Sequence, residues 1–203
     1  MSDHPLFARA YERFSAGAEA KGQGEYRARN LAGLSGRVLE LGAGNGLNFA
    51  HYPPEVTEVV AVEPEPYLRE RAGERGGVAP VNVTLVDGDA DALPLPDASV
   101  DAVVASLVLC SVPSQARALA ELRRVLRPGG ELRFYEHVVA HSRAGALTQK
   151  VATRLFWRHL AAGCELDRDT LSSIAAAGFV VESVERIRFQ GLPHLLGVAR
   201  AAA

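Results

Sequence analysis

Three glycines within five residues, Gly42, Gly44 and Gly46, with Ala43 between the first two, follow directly on the apolar run Val38-Leu39-Glu40-Leu41. Glycine admits positive φ and lets the backbone approach a ligand, so such a turn at the carboxyl end of a strand can cradle a small molecule. The dinucleotide fingerprint G-x-G-x-x-G needs its third glycine one residue later, where Leu47 stands, and a pyrophosphate is therefore disfavoured. Glu40 points the same way, because a carboxylate at a strand end repels phosphate and suits a ligand that carries positive charge. Taken alone, the turn is equally well a tight strand-to-helix connection with a surface carboxylate.

A second acid makes the ligand reading more specific. Glu63 ends the run VVAVE, 21 residues after Gly42 and just before Pro64. A carboxylate at that point can accept hydrogen bonds from both hydroxyls of an adenosine ribose. The competing role, an acid facing a helix N-terminus, contributes about 0.3 to 1 kcal/mol and suits Glu65 better. Further on, LVDGDADALPLPDASVD crowds Asp89, Asp91, Asp97 and Asp101 together, the last two reading as loop and turn acids.

In the second half, Glu136 and His137 sit near the carboxyl end of a strand, on the side where ligands bind in open α/β sheets. His137 is the favoured catalytic residue, as a base or as a group orienting a nucleophile; a histidine that merely orders the following loop accounts for it equally well. Cys110, in SLVLCSV, reads as a small buried hydrophobe rather than a nucleophile. Cys110 and Cys164 show neither metal-ligand spacing nor a disulfide framework, so no metal is expected and a reducing, cytoplasmic setting is.

The elements that must position these groups follow from the patterning. Short apolar runs at 38–41, 59–62, 81–86, 102–106 and 132–139 alternate with helical periodicity, which predicts parallel strands buried on both faces. Helices are expected from Leu6 to Gly17, at 25–34, at 114–126 ahead of Pro128-Gly129-Gly130, and at 147–160, where Val151, Leu155 and Phe156 share a side. Trp157 is expected to pack its helix face against the pocket. Asp169 can cap a helix that Gly178 ends. The runs FVVESVERIRF and HLLGVARA, joined by QGLP, can pair only antiparallel. The fold class is therefore α/β, a three-layer Rossmann-like arrangement with a seven-stranded, mostly parallel sheet closed by an antiparallel C-terminal pair. One domain is expected over 1–203: an N-terminal helical lid at 1–35, a cofactor half at 36–139, and substrate-side helices with the antiparallel strands at 140–203.

With 203 residues, 48% of them hydrophobic, and a formal charge of -2, the chain can bury one sizeable core but offers no basic excess for nucleic acid. No run is long and apolar enough to span a bilayer, so a small-molecule substrate in the cytoplasm is expected.

ELGAGNG, VEPEP, DGDADALPLPDASVDAVVAS and VLRPGGEL resemble, in order, the S-adenosylmethionine-binding motifs of the class I methyltransferases, over residues 38–139. The resemblance implies S-adenosylmethionine as cofactor, with Glu63 on the ribose, Asp89 on the adenine amine, the backbone at Ala90 reading the ring, and Ser106 and Leu107 lining the methionine part. Tyr11 and Phe14 would close over it, as N-terminal helices do in many relatives; core packing is the competing account. NFAHYPP, SLVLCSV, VLRPGGELRFYEHV, Gly163-Cys164 with Arg168 to Thr170, and PHLLGVAR are similar to the methyltransferase-like 7 family, whose animal members methylate alkyl thiols. On that resemblance Cys110, Glu136, His159, Cys164, Arg168 and His194 wall the substrate pocket, each having a structural role as alternative. The animal proteins start with a hydrophobic membrane anchor, and none is expected here. The expected activity is methylation of a small acceptor, a thiol first, with N-, O- or C-methylation of a metabolite or phospholipid as runner-up. A non-catalytic cofactor-binding module and a nicotinamide-dependent reductase are the competitors from other classes.

Overall fold

The computed structural model describes residues 5–158, 161 and 163–201. Its seven strands form one sheet in the order β3-β2-β1-β4-β5-β7-β6. The parallel part comprises β1 (Gly36–Leu41), β2 (Val56–Val62), β3 (Val83–Val86), β4 (Val100–Ser106) and β5 (Leu126–His137). The hairpin β6 (Phe179–Phe189) and β7 (Leu192–Ala201) closes it antiparallel, with β7 inserted against β5.

Alternation along β1 divides the core. Leu39 and Leu41 pack with Leu119 and Leu122 of α4 (Gln115–Val125) and Ile174 of α6 (Thr170–Ala176). Val38, on the other face, packs with Leu31 of α2 (Gln23–Leu31) and Ala72 of α3 (Pro66–Gly76). That arrangement makes three layers, and the parallel strands are apolar almost throughout because both faces are covered. α1 (Pro5–Glu19) lies on α3, where Tyr67 donates to Glu12 at 2.6 Å.

Several elements depart from the sequence expectation. No α-helix follows the glycine turn; a single 3₁₀ turn, Phe49–His51, stands there. Pro53 and Pro54 arrive too soon for a helix to continue, since neither has an N–H to give. The helix expected at 147–160 begins earlier, as α5 (Arg143–Ala152), and widens into a π-helical turn at Thr153–Trp157. Its shared apolar side faces outward: Leu147, Val151, Leu155 and Phe156 are exposed. The Pro128-Gly129-Gly130 turn does not end α4, which stops at Val125; it forms a register break inside β5. Asp169 caps α6 as expected, accepting from Ser172 N at 3.1 Å. No helix among the described residues is long and apolar enough to cross a membrane.

Candidate functional site

A cavity of about 640 Å³ opens at the carboxyl ends of β1, β2 and β4, and its walls include Tyr11, Gly42, Gly44, Glu63, Pro64, Asp89, Ala90, Ser106, Leu107, Val108, Ser111 and Ala161. That size is ordinary for a cofactor pocket. Gly42 turns at φ 61°, and a Cβ there would collide with Val108, so both conformation and space demand glycine. At Gly44, φ 55°, the space a side chain would fill holds the ring of Tyr11, which α1 brings over the turn.

Glu63 is the polar centre of this end. Its Oε2 accepts from Gly44 N at 2.7 Å and its Oε1 from Glu65 N at 2.9 Å. Each oxygen keeps a free lone pair in the cavity wall, the requirement for receiving two vicinal hydroxyls. Burial pushes its carboxyl above the usual range, opposed by the two N–H donors. Asp89 is exposed at the rim, braced by a one-residue bridge to Ala92. Leu107 adopts φ 57°, a conformation that costs a non-glycine residue and is held by its N–H on Tyr135 O at 2.7 Å. Glu63 with its spare acceptors, the turn and Leu107 fit the ribose and methionine parts of S-adenosylmethionine.

Glu40 does not face this space. Its oxygens accept from Asn48 Nδ2 at 3.0 Å and Tyr52 OH at 2.7 Å, and it is 2% exposed. Asn48 in turn receives Arg27 Nη1 at 3.0 Å, and Arg27 pairs with Glu19 at 2.7 Å. The acid expected to attract a cationic ligand thus belongs to a buried network tying α2 to the loop after β1, because its side chain falls on the α2 face of the strand. Burial raises its carboxyl to about 7. Ala43 and Gly46 are likewise buried behind the wall, Gly46 against Phe49 and Ala72. Phe14, 67% exposed, does not close over the cavity.

The loop after β4 is fixed by Glu136. Its Oε1 accepts from Val108 N and Leu109 N, both at 2.9 Å, and its Oε2 from Cys110 N at 3.3 Å. Fully buried, it anchors this loop rather than lining a substrate pocket, and burial lifts its carboxyl to about 7 against those donors. Arg168 also turns away from the cavity, donating to Leu109 O at 2.7 Å and Glu165 at 2.9 Å. Together they fix the loop that carries Cys110.

His137 is brought beside both cysteines, its Nδ1 3.9 Å from Cys110 Sγ and 4.0 Å from Cys164 Sγ. The Cys110 thiol is buried and donates to Leu107 O at 3.6 Å; Cys110 and His137 beside it hold Cys164 below the usual thiol range, while Cys164 and burial push Cys110 up. His194 lies directly across the β5–β7 register from His137, with ring centroids 4.4 Å apart. Burial and the nearby His137 depress it to about 3, so it is neutral, with Nδ1–H donating to Leu192 O at 3.0 Å. None of these four side chains lines the cavity, although Ser111 and Ala161, close to the cysteines in sequence, do. Trp157 packs against the cluster of Cys110, Cys164 and Leu166. His159 lies outside the described residues. The sequence reading missed Val108, Ser111 and Val112 as wall residues; the Pro113-Ser114 stop, with Ser114 capping α4, was the signal that this loop ends at the cavity mouth.

A family model described as "Methyltransferase domain" matches residues 39–134. The chain is 37% identical over 182 residues to the thiol S-methyltransferase TMT1B of Homo sapiens, covering 84% of this chain and 74% of that protein. It is 32% identical over 155 residues to the phosphatidylethanolamine N-methyltransferase of Cereibacter sphaeroides, covering 72% and 75%. A solved SAM-dependent methyltransferase from Thermotoga maritima superposes with a TM-score of 0.72 at 23% identity over 97% of each chain. With a cavity of this chemistry on this sheet and relatives of that closeness, the chain belongs to the class I S-adenosylmethionine-dependent methyltransferases, resembling the thiol S-methyltransferases.

Proposed function

We propose that the enzyme methylates the sulfur of a small thiol. The observation that carries this reading is the 37% identity to a thiol S-methyltransferase over most of both chains, longer and higher than the match to the phospholipid N-methyltransferase. Bound S-adenosylmethionine supplies a methyl group on a sulfonium. The chain's residues do the placing: Glu63 receives the ribose, Asp89 the adenine amine, and the backbone at Gly42, Gly44 and Leu107 the methionine part. An acceptor entering by Ser111 and Ala161 would meet a largely apolar wall, which excludes water from an in-line displacement. The acceptor thiolate forms its bond to the methyl carbon as the carbon–sulfonium bond breaks, the electron pair staying with the departing thioether. Unpaired cysteines fit a cytoplasmic setting.

The test is release of S-adenosylhomocysteine with matched thiol, amine, phenol and phospholipid acceptors. Alkyl thiols are expected to turn over, with a subsaturating rate that rises with pH toward the thiol pKa, about 8.5 for an ordinary thiol. Methylation of an amine, phenol or lipid with no thiol accepted would overturn the sulfur assignment.

A further inference from the structure

Cys110 Sγ, His137 Nδ1 and Cys164 Sγ all lie within 4.8 Å of one another, buried at the carboxyl end of β5. We propose that these three side chains bind a zinc ion, leaving its fourth coordination position for the sulfur of the acceptor. Two thiolates and an imidazole are a soft donor set that zinc takes up, and three protein ligands with one open position mark zinc sites that act on a substrate. Bond lengths of about 2.3 Å to sulfur and 2.0 to 2.1 Å to nitrogen put the S···N edge of a tetrahedron near 3.6 Å. The observed 3.9 and 4.0 Å need shifts of only about 0.5 Å to close around an ion.

The surroundings ask for something more than two thiols. His194 Nε2 is buried without a hydrogen-bond partner, and Trp157 Nε1, directed at the Cys164 sulfur, has none within hydrogen-bond distance; both belong to side chains packed on this cluster. Buried polar atoms are rarely left so, and an ion is one of the few reasons for it. Thiolates on a metal would offer the indole N–H an acceptor. The ligands are also held from outside, as metal ligands are: Glu136 fixes the Cys110 backbone and Cys164 N donates to Ala161 O at 2.9 Å.

The three-ligand site stands without the thiol reading; the use of its fourth position rests on that reading. Ser111 and Ala161 flank the cluster and line the cavity, so the ion would border the space where the acceptor approaches. An acceptor R–SH would form a sulfur–zinc bond and lose its proton to solvent, with no change of oxidation state. The bound thiolate is then the nucleophile of the displacement described above. This supplies what the cavity wall lacks, since its titratable side chains, Tyr11, Glu63, Glu65, Asp89 and Asp91, come from the segments that would hold the cofactor.

The experiment is zinc analysis of the reduced, dialysed full chain, followed by replacement with cobalt(II). One equivalent of zinc and the sulfur-to-cobalt charge-transfer band of a tetrahedral site are expected. Cys164→Ser should weaken metal binding by about 10²-fold or more, since loss of even an outer partner costs 10- to 100-fold. The exposed His141→Ala should keep the site. Because Cys110 is wholly buried, Cys164→Ser, checked for its fold by circular dichroism, is the deciding variant. Absence of zinc together with absence of the cobalt band overturns the site, as does a band unchanged in Cys164→Ser. A small alkyl thiol should alter the cobalt spectrum where an amine does not. A cobalt spectrum indifferent to a thiol that the enzyme methylates overturns the fourth-position role alone. Metal binding by an enzyme that methylates only amines would sink the thiol reading and leave the site standing.

Discussion

Around Glu63 and Asp89 the cavity is shaped by backbone: a glycine turn, a strand end, and a carboxylate whose partners lie 2 and 19 residues away. Behind its wall at Ser111 and Ala161, Cys110, His137 and Cys164 form a cluster of side chains that stand 27 residues apart on either side of His137. The first kind of site is written in contiguous motifs and survives drift in the rest of the fold. The second depends on a loop pinned by one buried carboxylate and on the register of a hairpin. Damage to the second should therefore register as lost stability, and damage to the first as lost affinity.

The largest effect is expected from Glu136→Ala, which strips the acceptor from three N–H groups, two of them buried, at about 1 to 3 kcal/mol each. A loss of about 3 kcal/mol or more should lower the melting temperature by about 6 to 12 °C. A melt within about 2 °C of wild type would show that the loop does not need its anchor.

Glu40 gives the next effect, and it appears as a pH dependence. Between 4.5 and about 7 the folded protein keeps a proton on Glu40 that the unfolded chain has released. Stability should therefore fall as pH rises through that window, by up to about 3 kcal/mol, and level off above it. Glu136, lifted to about 7 as well, adds a slope of the same sign, so Glu40→Gln, which cannot ionise, should remove only the Glu40 share in urea titrations at pH 5 and 7. Equal slopes in the two proteins would mean that other groups carry the dependence.

Affinity is the measure at the backbone-built end. Glu63→Ala removes acceptors worth about 1.5 to 3 kcal/mol each and should weaken S-adenosylhomocysteine at least tenfold by calorimetry, while S-adenosylhomocysteine binding unchanged by the substitution would break the comparison at its first term. Asp89→Ala, at an exposed rim, should cost less, about 0.5 to 1.5 kcal/mol or roughly two- to tenfold. A loss larger than that of Glu63→Ala would reverse the ranking of the two acids.

What the sequence disclosed divides along the same line. The five parallel runs, the antiparallel pair and the strand-end position of Glu63 are local signals, since alternation, run length and turn residues report directly on which backbone segments pair. Glu40 was misread because position along a strand does not say which face a side chain takes; one residue of alternation sent it to α2 rather than to the cavity. Glu136 was misread for a similar reason, its charge being consumed by three N–H groups of a loop that is remote in sequence. The Cys110–His137–Cys164 cluster could not be seen at all, because ligand spacing rules apply to neighbours in sequence and these residues meet only through the sheet order and the turn after Trp157.

The sheet order also sets a timetable. β7 is made after β6 yet lies between β5 and β6, so His137 has no facing strand until the segment carrying His194 exists. At about 5 to 20 residues per second, adding the 57 residues from Val138 to His194 takes the ribosome roughly 3 to 11 s. For that interval a nascent chain could close its β1–β4 nucleus while the edge of β5 and Cys110, joined 27 residues after His137 by Cys164, stay open to chaperones, metal carriers or oxidants. The sulfur-rich end of the molecule is thus the last to be sheltered during synthesis.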